Sequence, residues 1–303
     1  MRAVVNQRSV SIRFGLLIMV CASLLSLTVF SQSVSPEADS ELLEIGPAKS
    51  LSHANKAPTE IKVVTYNIRW RGGEELRKLI KLLRDDPEIG GASIIGLQEV
   101  DRNKKRTANE NTVKLIADEL GKHYAWAAPP TAKGKLEEET GVAILSSHPL
   151  TDVRRILLPH EGPGGRRRVA IGATITIGDT PLRFYSVHCE TRIKVRKKIE
   201  QMAAVLEDLT QYPKVQHAIV VGDLNTWEGA AVSQTSTLFT KEKFNTPFAN
   251  GKSTFLQRLF LIPVRLKLDW VWLRGFEVTS HGIDKEITLS DHWPLWAVVK
   301  LKR

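Results

Sequence analysis

Acidic, amide and imidazole residues stand at the ends of apolar runs in this sequence. Each one alone is typical of a turn or a surface position, because Asn and Asp side chains bond to nearby backbone amides. Together they indicate a catalytic site, because packed sheets bring strand ends together at one end of a domain. Carboxylate and amide oxygens are suitable ligands for a hard divalent cation, and imidazole can transfer protons near neutral pH. The residues concerned are Asn67, Glu99, His188, Asp223, Asn225, Asp269, Asp291 and His292.

The segment HAIVVGDLNTW, residues 217–227, shows this pattern most clearly. Its apolar run is typical of a buried strand, and it stops at Asp223 and Asn225. In an extended segment these two side chains point to the same side, so both can address one ligand. The alternative interpretation is that they only build the turn that follows the strand.

The apolar runs also predict the elements that would position these residues. Helical spacing of apolar residues predicts helices over EELRKLIKLLRD, over NTVKLIADEL up to Gly121, and over residues 193–210. Strands are predicted at IKVVTYN, ASIIGLQEV, RVAIGATITIG, PLRFYSVH, HAIVVG, LDWVWL and PLWAVV. Because strands outnumber helices and helices separate strand pairs, we expect two packed sheets with helices outside.

Length and composition fit one globular catalytic domain. The chain has 303 residues, of which 42% are apolar, and this is enough for a full core. No period of 20 to 50 residues repeats. The domain is predicted to span residues 61–303. Residues 32–60 are rich in Ser, Pro, Ala and Glu without periodicity and are predicted to form a flexible spacer.

Residues 1–31 have the composition of an export signal. Three arginines precede the 17-residue apolar stretch FGLLIMVCASLLSLTVF, which as a helix would reach only about 26 Å, and small polar residues follow. The alternative is an uncleaved anchor that associates with the membrane through residues 14–30. Either prediction places the domain in the periplasm or outside the cell. Only Cys21 and Cys189 are present, so a mature chain without Cys21 would have no intramolecular disulfide.

The chain is strongly basic. Its formal charge is +10, which falls to +7 if residues 1–31 are removed, because three arginines and no acid are lost. Lysine and arginine concentrate in three runs: RNKKR at 102–106, RRR at 166–168 and RIKVRKK at 192–198. Such runs either attract phosphate-rich polymers and anionic membranes or simply keep the surface solvated.

Six segments, in order, resemble the successive motifs of the endonuclease/exonuclease/phosphatase superfamily, which has the deoxyribonuclease-I-like fold. They are TYNIRW, GLQEVD, SVHCET, VVGDLNTW, LDWVWL and LSDHWPLWAVV, and the resemblance covers roughly residues 61–301. It implies a four-layer α/β sandwich of two packed, mainly antiparallel sheets flanked by helices. It also implies a hydrolase that cleaves phosphate esters by activated-water attack with Mg²⁺ or Mn²⁺. Together with the signal-like residues 1–31, this predicts an exported, bacterial-type member.

The resemblance implies a metal centre with oxygen ligands. Glu99 would be the principal metal carboxylate, Asn67 would lie beside it, and Asp291 would complete the shell of the metal or of a histidine. A hard divalent cation neutralises an anionic ester that otherwise repels hydroxide, and it prefers such ligands. A structural zinc site is disfavoured, because Cys189 has no cysteine or histidine partner at metal-ligand spacing.

The resemblance also implies the catalytic roles. Asp223 would orient and deprotonate the attacking water, and Asn225 would bind a phosphate oxygen and help to position that water. His292, oriented by Asp269, would stabilise the transition state or donate a proton. His188 would lie on the other side of the phosphate.

Nucleic acid is the favoured substrate from the basic runs and the neighbouring aromatic residues. Trp70, Arg102 and Trp227 are the candidate substrate-binding residues, through base stacking or backbone contact, although the tryptophans are equally consistent with packing. We expect the enzyme to be a monomer.

Other substrates and another functional class remain open. The apolar segment STFLQRLFLIPV, residues 253–264, favours a sphingomyelinase-like phospholipid phosphodiesterase if it contacts lipid, and is unremarkable if it covers the sheet as a helix or strand. A phosphatase acting on a small phosphorylated metabolite is the third hypothesis. A non-catalytic binding module of the same fold is disfavoured, because Glu99, Asp223 and His292 are all present.

Overall fold

Two β-sheets pack face to face, and helices cover their outer surfaces. The computed structural model describes residues 42–49, 59–130, 139–249, 251–260 and 262–302. The predicted signal peptide or anchor at residues 1–31 lies outside these ranges. Within them, no helix has the length and apolar character needed to cross a membrane.

The larger sheet has seven strands in the order β1-β4-β5-β3-β2-β14-β13. Its strands are β1 (Leu43–Gly46), β2 (Ile61–Asn67), β3 (Ile94–Arg102), β4 (His123–Ala127), β5 (Glu139–Ser146), β13 (Phe276–Ile283) and β14 (Leu295–Leu301). Only β2 and β3 pair in parallel; the other neighbours in this sheet are antiparallel.

The smaller sheet has five strands in the order β12-β9-β8-β7-β6. They are β6 (Leu150–Leu157), β7 (Val169–Ile177), β8 (Thr180–His188), β9 (His217–Asp223) and β12 (Asp269–Arg274), and only β8 and β9 are parallel. A separate hairpin joins β10 (Phe255–Leu259) to β11 (Ile262–Leu266). The predicted α/β sandwich of two mainly antiparallel sheets is therefore confirmed.

Within the described ranges, four α-helices complete the layers: α1 (Gly73–Asp85), α2 (Thr112–Leu120), α3 (Val195–Thr210) and α4 (Gly229–Lys241). Strand alternation explains the layering. Val63 faces the core between the sheets, whereas its neighbour Val64 faces the cluster under α1 and α2. On the smaller sheet, Val221 faces the central core and Val220 packs under α3 and α4. These alternating residues give the chain three apolar cores.

Part of the predicted spacer forms a strand that was not predicted. β1 lies within residues 32–60 and pairs with β4 at the edge of the larger sheet. Its Glu44 accepts hydrogen bonds from Tyr124, Asn111 and Arg102. The strand could not be predicted from the sequence, because four residues, one of them charged, are too few to show an alternation of apolar and polar side chains. Residues 50–58 and 32–41 of the predicted spacer lie outside the described ranges.

Candidate active site

The ends of four strands and an internal position of β3 bring the candidate residues to one end of the sandwich. Asn67 ends β2, and Glu99 lies in β3 of the larger sheet. On the smaller sheet, His188 and Asp223 are paired across β8 and β9, and Asp223 is paired with Asp269 on β12. His292, which precedes β14, lies on the Asp269 side of this row.

Asp223 is the centre of the group. Its Oδ1 accepts the backbone N–H of Asn225 at 3.0 Å, and its Oδ2 accepts the Asn67 amide at 3.0 Å. The Nε2 atoms of His188 and His292 lie 3.5 and 3.7 Å from the same Oδ2. Burial, reinforced by the Asp269 and Glu99 charges, raises the pKa of Asp223 to about 7, against the opposing effect of His292.

His292 is held as a cation. Its Nδ1 lies 2.9 Å from Oδ2 of Asp269, which also accepts the Thr254 hydroxyl at 2.7 Å. Burial lowers the pKa of His292, but the carboxylates of Asp269 and Asp223 outweigh burial and raise it to about 10. With Nδ1 engaged by Asp269, the Nε2–H of the imidazolium faces Asp223.

His188, by contrast, is neutral and has one defined tautomer. Arg168 Nη1 lies 3.3 Å from His188 Nδ1, and because a guanidinium only donates, Nδ1 must accept. The ring proton is then on Nε2, which faces Asp223 and Glu99. Burial and the positive charge of Arg168 hold the pKa of His188 well below its usual value. The site therefore contains one charged and one neutral imidazole.

Arg168 is itself held by a buried carboxylate. Glu190 pairs with Arg168 Nε at 3.3 Å and with both Nε and Nη2 of Arg166, and it also accepts the backbone N–H of Arg192. Burial works against ionisation, but these donors keep the pKa of Glu190 below its usual value. Sequence reasoning missed both Arg168 and Glu190 as site residues; the run RRR followed by a strand end at His188 was the only signal.

Glu99 owes its position to an irregularity in β3. The pairing with β5 shifts between Gln98 and Val100, and Glu99 adopts a left-handed φ of 57° that L-residues rarely use. A bulge of this kind re-aims a side chain at a sheet edge, and strained backbone is typical of functional positions. Glu99 Oε1 accepts the Asn67 amide at 3.4 Å, while the buried Oε2 has no hydrogen-bond partner.

The unbonded carboxylate oxygen fits a hard divalent cation. A buried anionic oxygen without a donor is costly, and a cation would satisfy it. Asp223, Asp269 and His292 also bring ligand atoms within 4.8 Å of one another. In that trio, however, His292 and Asp269 bond to each other, so the Glu99 oxygen without a partner is the better ligand for Mg²⁺ or Mn²⁺. Asn67 turns its nitrogen toward the Glu99 and Asp223 carboxylates, and would have to turn its amide over to become a ligand.

Two predicted site residues are occupied by structural contacts. The Asn225 amide donates to the Cys189 carbonyl at 2.8 Å and accepts from Thr191 at 3.1 Å, so it fixes the loop after β9 rather than projecting freely toward a phosphate. Asp291 forms an ion pair with Arg69 at 2.9 Å. Both residues border the site, and their predicted roles toward phosphate and metal remain predictions.

The predicted substrate-binding residues separate into two groups. Trp70 and Trp227 are 37% and 48% exposed and follow β2 and β9 at the mouth. The Arg106 guanidinium covers one face of Trp70, 4.0 Å from the ring centroid. Arg102 is not in the mouth: it pairs with Glu44 and Glu139 and stacks on buried Trp126. Its place in a basic run suggested a substrate contact, but acids distant in sequence engage it.

Similarity to known proteins is consistent with this geometry. Residues 64–292 match the Endonuclease/Exonuclease/phosphatase family. Among solved structures, a family protein from Leptotrichia buccalis has a TM-score of 0.62 at 16% identity, covering 80% of this chain and 100% of that one. The human Nocturnin catalytic domain with bound sulfate has a TM-score of 0.60 at 18% identity, covering 82% and 96%. D. rerio TDP2 complexed with a single-strand DNA product has a TM-score of 0.62 at 14% identity, covering 80% and 100%. No curated protein matches the chain.

Proposed function

Because this chain belongs to the endonuclease/exonuclease/phosphatase family, whose members are generally divalent-metal-dependent hydrolases of phosphate esters, we propose that it is an exported, Mg²⁺- or Mn²⁺-dependent phosphodiesterase acting on nucleic acid. The observation that carries the reaction type is the position of Asp223. It lies between the two histidine Nε2 atoms and shares the Asn67 amide with Glu99.

The protein's own groups account for the proton transfers. Asp223, with a pKa raised to about 7, is a general base suited to neutral pH, and the loop amide of Asn225 fixes its orientation. The protonated His292 supplies positive charge, and a proton, where negative charge develops on the ester. Neutral His188 donates a hydrogen bond from Nε2 to a phosphate oxygen on the opposite side.

Glu99 would hold the metal, next to the base Asp223. When bound, a divalent cation neutralises the phosphate and polarises its oxygens. The Glu99 oxygen without a partner gives this role its physical basis. Asp269 and Thr254 act through His292: they keep its ring oriented and do not contact the ester themselves.

Charge and aromatic exposure at the mouth support nucleic acid as the substrate. Arg192 and Lys194, which follow β8, are exposed and form no ion pair within the described ranges. Exposed Trp70 and Trp227 offer ring faces for unpaired bases. TDP2, a structural neighbour of this chain, has been solved in complex with a single-strand DNA product. Two arginines of the 166–168 run form ion pairs with Glu190, so their charge is partly neutralised within the protein.

A substrate panel tests this proposal. Plasmid DNA, RNA and single-stranded oligonucleotides are incubated with the protein and Mg²⁺ or Mn²⁺, next to sphingomyelin and phosphomonoesters. We expect nucleic-acid cleavage that weakens as salt rises, because phosphate contacts release counterions. Asp223→Asn should remove it, and Asp179→Asn, in the exposed turn after β7, should not. Turnover of sphingomyelin or monoesters alone would contradict the substrate assignment.

A lipid phosphodiester is the second candidate, and one observation favours it. The described residues of the segment 253–264 belong mainly to β10 and β11, which form a separate hairpin rather than a strand of either large sheet, and Phe260 next to β10 is exposed. In the panel, cleavage of sphingomyelin with release of phosphocholine, and none of nucleic acid, would select this candidate.

A further inference from the structure

Within the described ranges, most of the large exposed apolar side chains lie in segments that border the site. Of the five large hydrophobic residues that are exposed within the described ranges, four lie in segments at this end: Trp70, Trp227, Phe260 and Ile262. Trp70 and Trp227 follow the strand ends that carry Asn67 and Asp223. Phe260 and Ile262 belong to the hairpin that leads into β12. The fifth, Ile45, is on edge strand β1.

The hairpin is a projection anchored to the active-site wall. Within the described ranges, β10 and β11 form a two-stranded sheet of their own. At the base, Leu256 N donates to the Asp291 carbonyl, and the Phe255 ring contacts the His292 ring at 5.0 Å. From Phe255 to the turn, the strand rises about 14 Å. The base of the hairpin is therefore fixed next to the catalytic histidine.

The described residues at the tip of the hairpin are apolar and exposed to solvent, which is unfavourable. Phe260 is 92% exposed, with a left-handed φ of 55°, and Ile262 is 68% exposed. Positive φ is unfavourable for a bulky side chain, and a polar residue or glycine would suit this turn better. Large exposed apolar groups of this kind mark interaction sites.

The flanks of the hairpin are basic. Arg258 is opposite Pro263 and Arg265 is opposite Leu256, so both arginines project from the same face of the ribbon. Both are exposed, and within the described ranges neither forms an ion pair. An apolar tip next to two guanidinium groups without ion pairs is complementary to an anionic lipid surface. The tip can contact the acyl chains, and the arginines can bind the headgroup phosphates.

We propose that the mouth end of this protein docks on an anionic phospholipid membrane through the β10–β11 hairpin, with Phe260 and Ile262 entering the interface. Arg258 and Arg265 bind headgroup phosphates, and Trp70 and Trp227 lie at headgroup level, where amphipathic rings are favoured. Docking orients the site toward phosphate esters at the membrane surface. The proposal does not depend on which ester is cleaved.

A local probe on the full chain tests the docking and separates it from any contribution of residues 14–30. An environment-sensitive fluorophore is attached at Phe260→Cys in a Cys21→Ser background; Cys189 is buried and does not react. The control probe is at Asp179→Cys, at the opposite end of β8 from His188. Vesicles are phosphatidylcholine alone or with phosphatidylglycerol.

We expect a blue shift at position 260 and none at position 179, with phosphatidylglycerol vesicles. Arg258→Gln combined with Arg265→Gln should raise the lipid concentration for half-maximal shift about tenfold or more. An equal response at both positions, or no response at position 260, would overturn the proposal. So would a shift caused by single-stranded DNA but not by vesicles, or one that grows with protein concentration alone. Because hydrolysis is not measured, failure of the proposed function leaves this result intact.

Discussion

At the residue scale, the burial of Asp223 is unfavourable for stability but useful for catalysis. Its carboxylate is almost fully buried among Glu99, Asp269 and two imidazoles, and the positive charge of His292 is the main effect that opposes the rise in its pKa. Burial raises its pKa to about 7. Above neutral pH the folded protein therefore contains an ionised carboxylate in an environment that disfavours the charge. A base of this kind is useful because its proton affinity is matched to the operating pH.

Asp223→Asn should therefore stabilise the protein while it removes activity. A pKa that is raised on folding costs stability above pH 7, and this cost disappears as the pH falls toward the unfolded value of 3.8. Without metal, we expect the melting temperature of the variant to exceed that of the parent by several degrees at pH 8, with the difference shrinking by pH 5. Activity with metal should fall about 10²-fold or more.

Calorimetry in EDTA at the two pH values provides the measurement. Asp179→Asn, in an exposed turn, is the matched control and should change neither quantity. A variant that is equally destabilised at both pH values would show that the hydrogen bonds from Asn67 and Asn225 matter more than the buried charge.

The second residue-scale prediction concerns the tautomer of His188. Arg168→Gln removes the guanidinium that donates to Nδ1, so the ring proton is free to redistribute between the nitrogens. We expect kcat to fall about tenfold with KM nearly unchanged, because the lost contribution is a donor aimed at the reacting ester. ¹⁵N NMR of the histidine ring should show loss of the Nε2–H form.

Arg167→Gln is the matched control for Arg168→Gln. It removes the same charge from the same run, but Arg167 bonds to the Leu158 carbonyl and not to a histidine. If both variants lose activity equally, net positive charge explains the effect. If His188 keeps its Nε2 proton in Arg168→Gln, the positioning role of Arg168 is wrong.

At the scale of elements, the sequence predicts the strands well because their apolar runs are long and bounded. The end of β9 at Asp223 and the helix over residues 193–210 could be identified in this way; the helix begins at Val195. The bulge at Glu99 could not, because the irregularity arises from pairing with β5, a strand that comes much later in the chain. The partners of Glu190 lie 22 and 24 residues away, beyond any local pattern.

Gly222 shows how one backbone position holds β9 against β8. Its φ is +136°, and a Cβ atom there would lie 2.0 Å from the Val187 carbonyl oxygen. Gly222→Ala should therefore destabilise the protein by roughly 3 kcal/mol and displace Asp223, the next residue. Denaturant unfolding and the nuclease assay measure the two effects.

Gly229→Ala is the control for this prediction, since a Cβ at the start of α4 meets no atom within 4 Å. It should be neutral or stabilise the helix by up to about 1 kcal/mol. Similar stability of the two variants would mean that β9 relaxes around the added methyl group.

At the scale of the whole molecule, the site exists only because the two sheets keep their separation. Asn67 and Glu99 come from the larger sheet, and His188, Asp223 and Asp269 come from the smaller one. Just below them, a buried polar bridge joins the sheets. Gln98 donates to the Ser186 hydroxyl at 3.0 Å, and that hydroxyl donates to the Leu97 carbonyl at 3.1 Å. Hydrogen bonds have directional geometry that apolar contacts lack, so the bridge fixes how the sheets align.

Ser186→Ala should loosen both sheets. The substitution leaves buried polar groups on Gln98 and Leu97 without one partner each, at a cost of about 2 kcal/mol. Ser236→Ala is the control, because that hydroxyl bonds only to Val232 of its own helix. Hydrogen exchange should accelerate in β3 of the larger sheet and in β8 of the smaller one. The kcat should fall, because Asp223 and Glu99, which lie on different sheets, would no longer be held in a fixed relative position. Faster exchange in β8 alone would mean that the sheets are held together by apolar packing, and the site would then tolerate loss of the bridge.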